Sequence, residues 1–275
     1  MQRVIFTDLD GTLLDFQNYS YTVAAPLVKQ LQERDIPIVF CSSKTRAEQE
    51  FYQSALDNHS PFIVENGSAI LIPKNYFSFG IADVLNQYPV DETVDFWQVV
   101  LGKTNSYIRS VIQQARAEVG INLSGYADLT LEEIKEITHL DDDFARRAAT
   151  RDFSETLLKG NKSGDDFDRF KSILKDHGLL CVSGGKFHTV MGEKSDKGAA
   201  VKVLTHLFKQ ERGEIQTIGL GDSANDLPLL AAVDIPYLVQ KPPGHWLEMH
   251  DDRIVRIDGI GPVGWVKALH SLGTV

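Results

Sequence analysis

Three short apolar runs, Val4-Ile5-Phe6, residues 36–41 and Phe62-Ile63-Val64, open this chain and are separated by stretches of helical spacing. Runs this short, bounded by turn residues, read as buried strands. Val23, Leu27, Val28 and Leu31 predict a helix over 23–34, and a second helix is expected over 46–56. Strands that alternate with helices are returned to the same end of a sheet each time, so they pair in parallel. The opening therefore predicts an α/β fold. Asn66-Gly67 signals a tight turn, with a return strand over 69–72.

The same pattern resumes at Asp196. A helix over 197–208 carries apolar residues at 200, 201, 204, 207 and 208, and a strand over 215–220 leads into Gly221-Asp222-Ser223-Ala224-Asn225-Asp226. A short helix over 227–232, the strand Tyr237-Leu238-Val239 and a helix near 263–272 follow. Between these two halves the order changes. Helices are predicted over 106–119, 131–138 and 165–177, and strands over 151–158, 179–183 and 187–191. Thr130 with Glu133 three residues on forms a capping box for the helix at 131, and Gly184-Gly185 marks a turn. The expected organisation is a discontinuous α/β core with a parallel sheet, residues 1–80 and 190–275, interrupted by an inserted α+β domain over 81–189.

Composition narrows the function classes. At 275 residues with a formal charge of −10, the chain disfavours nucleic acid and anionic membranes as partners. No apolar run approaches the ~20 residues of a membrane span, and the first apolar run is cut by Asp8, unlike a signal peptide. Two cysteines, Cys41 and Cys181, sit in strand-like runs and read as buried thiols, not as a disulfide framework. A cytoplasmic location is the default expectation, with no obligate protein partner indicated. The glycosylation-like triplets at Asn58, Asn66, Asn122 and Asn161 are expected chance matches in such a chain.

The chemistry sits where strands end. Asp8 and Asp10 follow the first strand, and alternate strand residues face the same way, so the two carboxylates are expected to converge. Such a pair needs a proton, a cation or a metal between them, and hard oxygen ligands favour Mg²⁺. These residues alone also fit a plain turn, but not a calcium loop, which wants glycine sixth and glutamate twelfth. Ser42 ends the second strand, Lys197 opens a helix, and Asp222 and Asp226 follow a later strand. Taken singly, a serine after a strand commonly caps the next helix, and a lysine at a helix start is commonly solvated. Together at the carboxyl ends of parallel strands, they fit phosphoryl transfer. Carboxylates hold Mg²⁺, an aspartate attacks phosphorus, and a hydroxyl and an ammonium grip the remaining oxygens. Gly219 to Ala224 also matches a dinucleotide fingerprint, but Asp222 and Asp226 would crowd charge against a pyrophosphate. Asp141-Asp142-Asp143 reads as a solvated helix start.

The ordered set Asp8-Leu9-Asp10-Gly11-Thr12, Ser42, Lys197 and Gly221 to Asp226 resembles the four motifs of the haloacid dehalogenase superfamily of phosphatases. The insertion after Asn66-Gly67 resembles the type IIB cap of its Cof-like branch, on a Rossmann-like core. That resemblance implies Asp8 as nucleophile and Asp10 as general acid, then base. It implies Mg²⁺ ligated by Asp8, the Asp10 carbonyl and Asp222, with Asp226 supporting, and a phosphoryl group bound by Ser42 and Lys197. Five further segments resemble the mannosyl-3-phosphoglycerate phosphatase family: Cys41 to Thr45, Glu65-Asn66-Gly67, Arg151 to Glu155, Gly184 to His188, and Gly261 to Trp265. What this implies is hydrolysis of a phosphorylated glycosylglycerate, mannosyl or glucosyl, to a compatible solute. A broader sugar-phosphate phosphatase and a phosphomannomutase-like mutase are the alternatives. Within the cap, Arg151, Lys186 and the amides of Gly184 and Gly185 are candidates for the glycerate carboxylate, His188 for the sugar, and Lys44 for the pocket mouth. A hairpin turn at Gly184-Gly185 and a surface ion pair between Arg151 and Glu155 are the plainer expectations. Lys186 stands where the resemblance leads one to expect arginine, and offers a point charge in place of a two-pronged clamp.

Overall fold

In the computed structural model, residues 1–159, 164–184 and 187–273 are described. Gln2–Thr7 is an inner strand, and its last four residues are fully enclosed. It pairs in parallel with Ile215–Gly221 on one side and Ile38–Phe40 on the other. Ile235–Gln240 and Val255–Ile260 extend the parallel sheet to five strands. Because the inner part of the sheet is covered on both faces, Val4 to Phe6, Ile38–Phe40 and Tyr237 to Val239 are continuous apolar runs and do not alternate with polar residues. Ile5 and Ile38 pack toward the helices Ala25–Gln32, Arg46–Ala55 and Pro262–Ser271, while Val4, Phe6 and Val39 pack toward Lys197–Arg212.

A single parallel bridge between Cys41 and Ile63 leads from this sheet into a second, antiparallel one. Its strands run Phe62–Val64, Ala69–Pro73, Phe96–Val100 and Val90–Glu92 across the sheet. This moves the edge of the core. Phe77, Ile81, Leu85 and Val99 are buried with Leu204 and Phe208 of the long helix, so residues 81–100 pack with the core although the sequence places the boundary at residue 80. The chain leaves the core near Gly102 and returns near Gly192, whose backbones lie close together.

The inserted module has its own sheet, Ser154–Leu158, Phe187–Gly192 and Leu179–Ser183, all antiparallel. Asn105–Val119 and Asp165–Asp176 cover one face, burying Ile108, Ile112, Phe170 and Leu174 against Leu157 and Val190. Leu131–Thr138 and Asp142–Ala149 form an arm that leans back onto the core, where Phe144 packs edge-on against Phe51. The expected capping box at Thr130 and Glu133 is present, and Asp141 caps its helix through the Phe144 amide. Cys41 and Cys181 are free thiols. Among the described residues no helix is long and apolar enough to cross a membrane.

Candidate active site

The first strand ends at Thr7, and the next residue carries the floor of the site. The Asp8 amide donates to the Leu220 carbonyl at 2.9 Å, which ties the carboxylate-bearing turn to the neighbouring strand. From the far side of the sheet, the enclosed Trp265 donates its indole N–H to Thr7 Oγ1 at 3.0 Å. Thr7 in turn donates to the Asp8 carbonyl at 2.8 Å. Gly11 then turns the chain at φ +79°, and a Cβ there would come within 2.9 Å of Asp222 Oδ2. Only glycine suits both the positive φ and the close approach.

Lys197 lies at the centre of the floor. Its ammonium is wholly buried and sits 2.6 Å from both Asp8 Oδ1 and Asp226 Oδ1. Burial pulls this ammonium down, but Asp226 and Asp8 outweigh it and hold the lysine above its ordinary value. Asp226 Oδ2 accepts from the Asp222 and Ser223 amides at 3.0 and 2.9 Å, so both of its oxygens are engaged in fixing the loop and the lysine. Asp8, Asp222 and Asp226 each offer a carboxylate oxygen within 4.8 Å of the others. Burial raises Asp8 well above the usual carboxylate range, with Asp226 adding to the shift and Lys197 opposing it. Burial and then Asp226 push Asp222 up to about 6. A buried cluster of carboxylate oxygens with surplus negative charge fits a hard divalent cation such as Mg²⁺.

Asp10 does not join that cluster. Its carboxylate lies 3.1 Å from the ammonium of Lys44, which also meets Glu48 at 3.3 Å. Asp8 and Asp10 line one cavity but aim at different partners. The expected convergence fails because the strand stops at Thr7, and its alternation does not extend through the turn. Burial raises Asp10, and Lys44 holds the shift back. Lys44 is therefore committed beneath the surface, over the Tyr19 ring at 4.8 Å, and is not found at the pocket mouth. Ser42 is fully enclosed beside it, its hydroxyl accepting from the Lys44 amide at 3.3 Å, and the neighbouring Ser43 faces the cavity.

That cavity, about 840 Å³, lies between the core floor and the inserted module. From the core come Asp8, Asp10, Phe16, Asp222 and Lys241, and from the module Tyr126, Arg151, Thr156, Thr189 and Gly184. Lys241 follows the strand Ile235–Gln240 and reaches to 3.7 Å from Asp222 Oδ2. Arg151 does not pair with Glu155. Its Nη1 donates to Ser154 Oγ at 2.9 Å and lies 3.9 Å from the buried Glu65, while its buried Nε has no partner among the described residues. His188 is turned away from the cavity. Phe187 and Thr189 line it, so alternation puts His188 on the opposite face, its ring tilted against Phe167 at 4.7 Å and bonded to Ser183 at 2.9 Å. Gly185 and Lys186 lie outside the described residues.

Glu65, Asn66 and Gly67 form a tight turn in which all three φ angles are positive. A Cβ on Gly67 would lie 2.0 Å from the Asp196 carbonyl, so glycine lets this turn sit directly on the start of the Lys197 helix. Asn66 accepts from the Asn225 side chain at 3.3 Å. Glu65 is fully enclosed and accepts from the Asp152 and Phe153 amides at 2.9 and 3.2 Å and from the Ser154 hydroxyl. Burial raises its carboxyl, while Arg151 and these bonds draw it back. The sequence marks this segment as a turn, but nothing in it shows that the glutamate points inward. Lys241 and the Thr156–Thr189 pair are also absent from the sequence reading. The rule that ligands gather at strand ends would have found Lys241.

A parallel sheet with an acidic, metal-competent floor beneath an inserted α+β roof places the protein among phosphate-ester hydrolases. The chain belongs to the haloacid dehalogenase-like hydrolase family, which matches residues 5–242. It is 41% identical over 277 residues to the glucosyl-3-phosphoglycerate/mannosyl-3-phosphoglycerate phosphatase of Methanococcoides burtonii, covering 99% of this chain and 97% of that protein. With the mannosyl-3-phosphoglycerate phosphatase of Pyrococcus furiosus it shares 38% over 239 residues, 87% of this chain and 91% of that one. Among solved structures, the sucrose-phosphatase of Synechocystis in complex with sucrose and phosphate superposes with a TM-score of 0.62 at 16% identity, over 99% and 98% of the two chains. A phosphatase of the same superfamily from Bacteroides thetaiotaomicron gives 0.66 at 18%, over 100% and 96%. At such identities the structures establish a shared fold. The resemblance read from the motifs and the expected α/β core with an inserted cap are both borne out.

Proposed function

We propose that this enzyme is a Mg²⁺-dependent, cytoplasmic phosphatase that hydrolyses mannosyl-3-phosphoglycerate or glucosyl-3-phosphoglycerate to the glycosylglycerate and phosphate. The observation that carries the reading is the Asp8 carboxylate at the cavity floor, held by Lys197 below an arginine supplied by the inserted module. The names of the relatives support the choice of substrate. Asp8 Oδ2, which receives only a long 3.4 Å contact from Thr12, is the oxygen left to attack phosphorus. As the Asp8–phosphorus bond forms, the bond to the glycerate oxygen breaks, and Asp10 delivers a proton to that leaving oxygen. Water then attacks the aspartyl-phosphate, Asp10 takes its proton, and Asp8 is regenerated with release of phosphate.

Mg²⁺, held by Asp8, Asp222 and the Asp10 carbonyl with Asp226 in support, would neutralise charge on the phosphoryl oxygens. Lys197 opposes the upward pull of burial and Asp226 on Asp8 and orients its carboxylate. Ser42 and Lys197 would bind the transferring phosphoryl group as the family motifs suggest, with Lys241 a further cation at the floor. Of the cap candidates, Arg151 offers the glycerate carboxylate a buried Nε with no other partner among the described residues. Thr156, Thr189 and Tyr126 face the same space and suit sugar hydroxyls and ring faces.

Phosphate release from a panel of esters, with and without Mg²⁺, tests the reading. Preference for a glycosyl-3-phosphoglycerate over mannose phosphates is the expected result. Equal turnover of simple sugar phosphates would leave a broad phosphatase, and interconversion of hexose 1- and 6-phosphates would make the enzyme a mutase.

A further inference from the structure

The inserted module crosses to and from the core near Gly102 and Gly192, and beside that crossing it makes a further contact, where the Asn105 amide donates to the Asp152 carbonyl at 2.7 Å and Ser154 pairs with Met191. Its arm, ending at Ala149, runs into residues 151–154, and these come down onto the Glu65 turn. Phe153 is buried in the core cluster with Tyr52 and Phe62. Thr45 donates its hydroxyl to the Arg147 carbonyl at 2.8 Å one turn earlier. At the centre of this contact is a charged side chain with no exposure at all. One Glu65 carboxylate takes two backbone amides and a hydroxyl from three successive residues of the module, and faces the Arg151 guanidinium.

We propose that Glu65 is a positioning residue whose carboxylate docks residues 152–154 of the inserted module onto the core and thereby sets Arg151 over the cavity. The turn that carries it is anchored on its other side to the Lys197 helix start and to Asn225. The glutamate therefore links the start of the Lys197 helix to the module's arginine through its own side chain, beside the chain crossing. Apolar packing at Phe153 holds the segment against the core without fixing its rotation. Bonds to successive amides supply that orientation, because hydrogen bonds constrain direction where packing does not. The consequence for substrate rests on reading Arg151 as the ligand of the substrate carboxylate; the docking itself does not.

Glu65→Gln preserves the side-chain volume but leaves one acceptor oxygen where there were two. Losing a charge-assisted bond of this kind is expected to speed amide exchange of residues 150–154 by about tenfold or more. Exchange of the Phe62–Val64 strand should stay at the wild-type rate. Unchanged exchange at 150–154, or faster exchange throughout the core, would overturn the docking. In kinetics, Glu65→Gln and Arg151→Ala should each raise KM for mannosyl-3-phosphoglycerate by about tenfold. The double variant should be no worse than Arg151→Ala, since one residue acts through the other. In Glu65→Gln, turnover of p-nitrophenyl phosphate, which has no carboxylate to place, should be retained. Additive KM losses, or a parallel fall with both substrates, would reduce Glu65 to a fold-stabilising residue and overturn the proposal. If the wild type does not hydrolyse the glycosyl ester, the substrate reading fails, and the exchange experiment decides the docking.

Discussion

Lys197 shows how much a buried cation can be asked to do. It is enclosed between two carboxylates at equal 2.6 Å distances, and its removal would strand Asp8 and Asp226 without a counter-charge. Breaking a buried pair in this way costs about 3–5 kcal/mol. Lys197→Met should therefore lower unfolding free energy by that amount in denaturant titration; a change of about 0.5 kcal/mol or less would mark an ordinary surface lysine. Asp8→Asn separates chemistry from architecture. It keeps the size of the side chain and should cut phosphate release by at least about a thousandfold while the fold persists, the scale seen when a nucleophile is removed. A variant that turned over at the wild-type rate would refute attack by Asp8. At this scale the floor was legible in the sequence because its residues stand in short motifs beside strands. The aim of each side chain was not. Asp10 turns to Lys44 because the strand ends at Thr7, before its alternation can reach Asp8 and Asp10, and His188 turns away because Phe187 and Thr189 take the cavity face.

Elements that bury a full face announce themselves, and those that do not are silent. The Thr130–Glu133 cap and the long helix at 197 were legible from pattern, whereas Val90–Glu92 and Val255–Ile260 were not. Both are edge strands with mostly exposed or half-buried residues, so they lack the apolar run that reads as a core strand. Within the module, Asp128 joins the turn Tyr126–Asp128 to the helix Asn105–Val119, accepting from the Gly125 amide and Arg116 Nη2, both at 2.8 Å. Burial pulls its carboxyl up, but the Gly125 and Arg116 bonds together outweigh that and lower it. A carboxyl lowered in the folded state stabilises above its unfolded value, about 3.9, and loses that contribution as pH falls through the folded one. Wild type should thus exceed Asp128→Asn in stability near neutrality, with the gap closing in acid. A gap that stayed constant from neutral to acid pH would show that the ionised form of Asp128 contributes nothing.

For the molecule as a whole, the acidic floor is a place where folding gathers like charges and leaves them short of cations. Asp8, Asp222 and Asp226 crowd together with Lys197 between two of them and Lys241 more distant, in a chain that is already −10 overall. The unfolded chain has no such cluster, so a divalent ion binds the native state alone and stabilises it by mass action. At a hundredfold excess over the dissociation constant that is about 2.7 kcal/mol. For a domain of this size it corresponds to roughly 5–10 °C in Tm. Adding Mg²⁺ to protein stripped with a chelator should raise the calorimetric midpoint by that much, and returning the chelator should reverse it. Asp222→Asn should abolish most of the rise, since Asp226 has both oxygens occupied and cannot take over. Asp141→Asn, an exposed helix cap in the module, should leave the rise intact. A Mg²⁺ shift of the same size in Asp222→Asn would place the ion elsewhere and remove Asp222 from its shell.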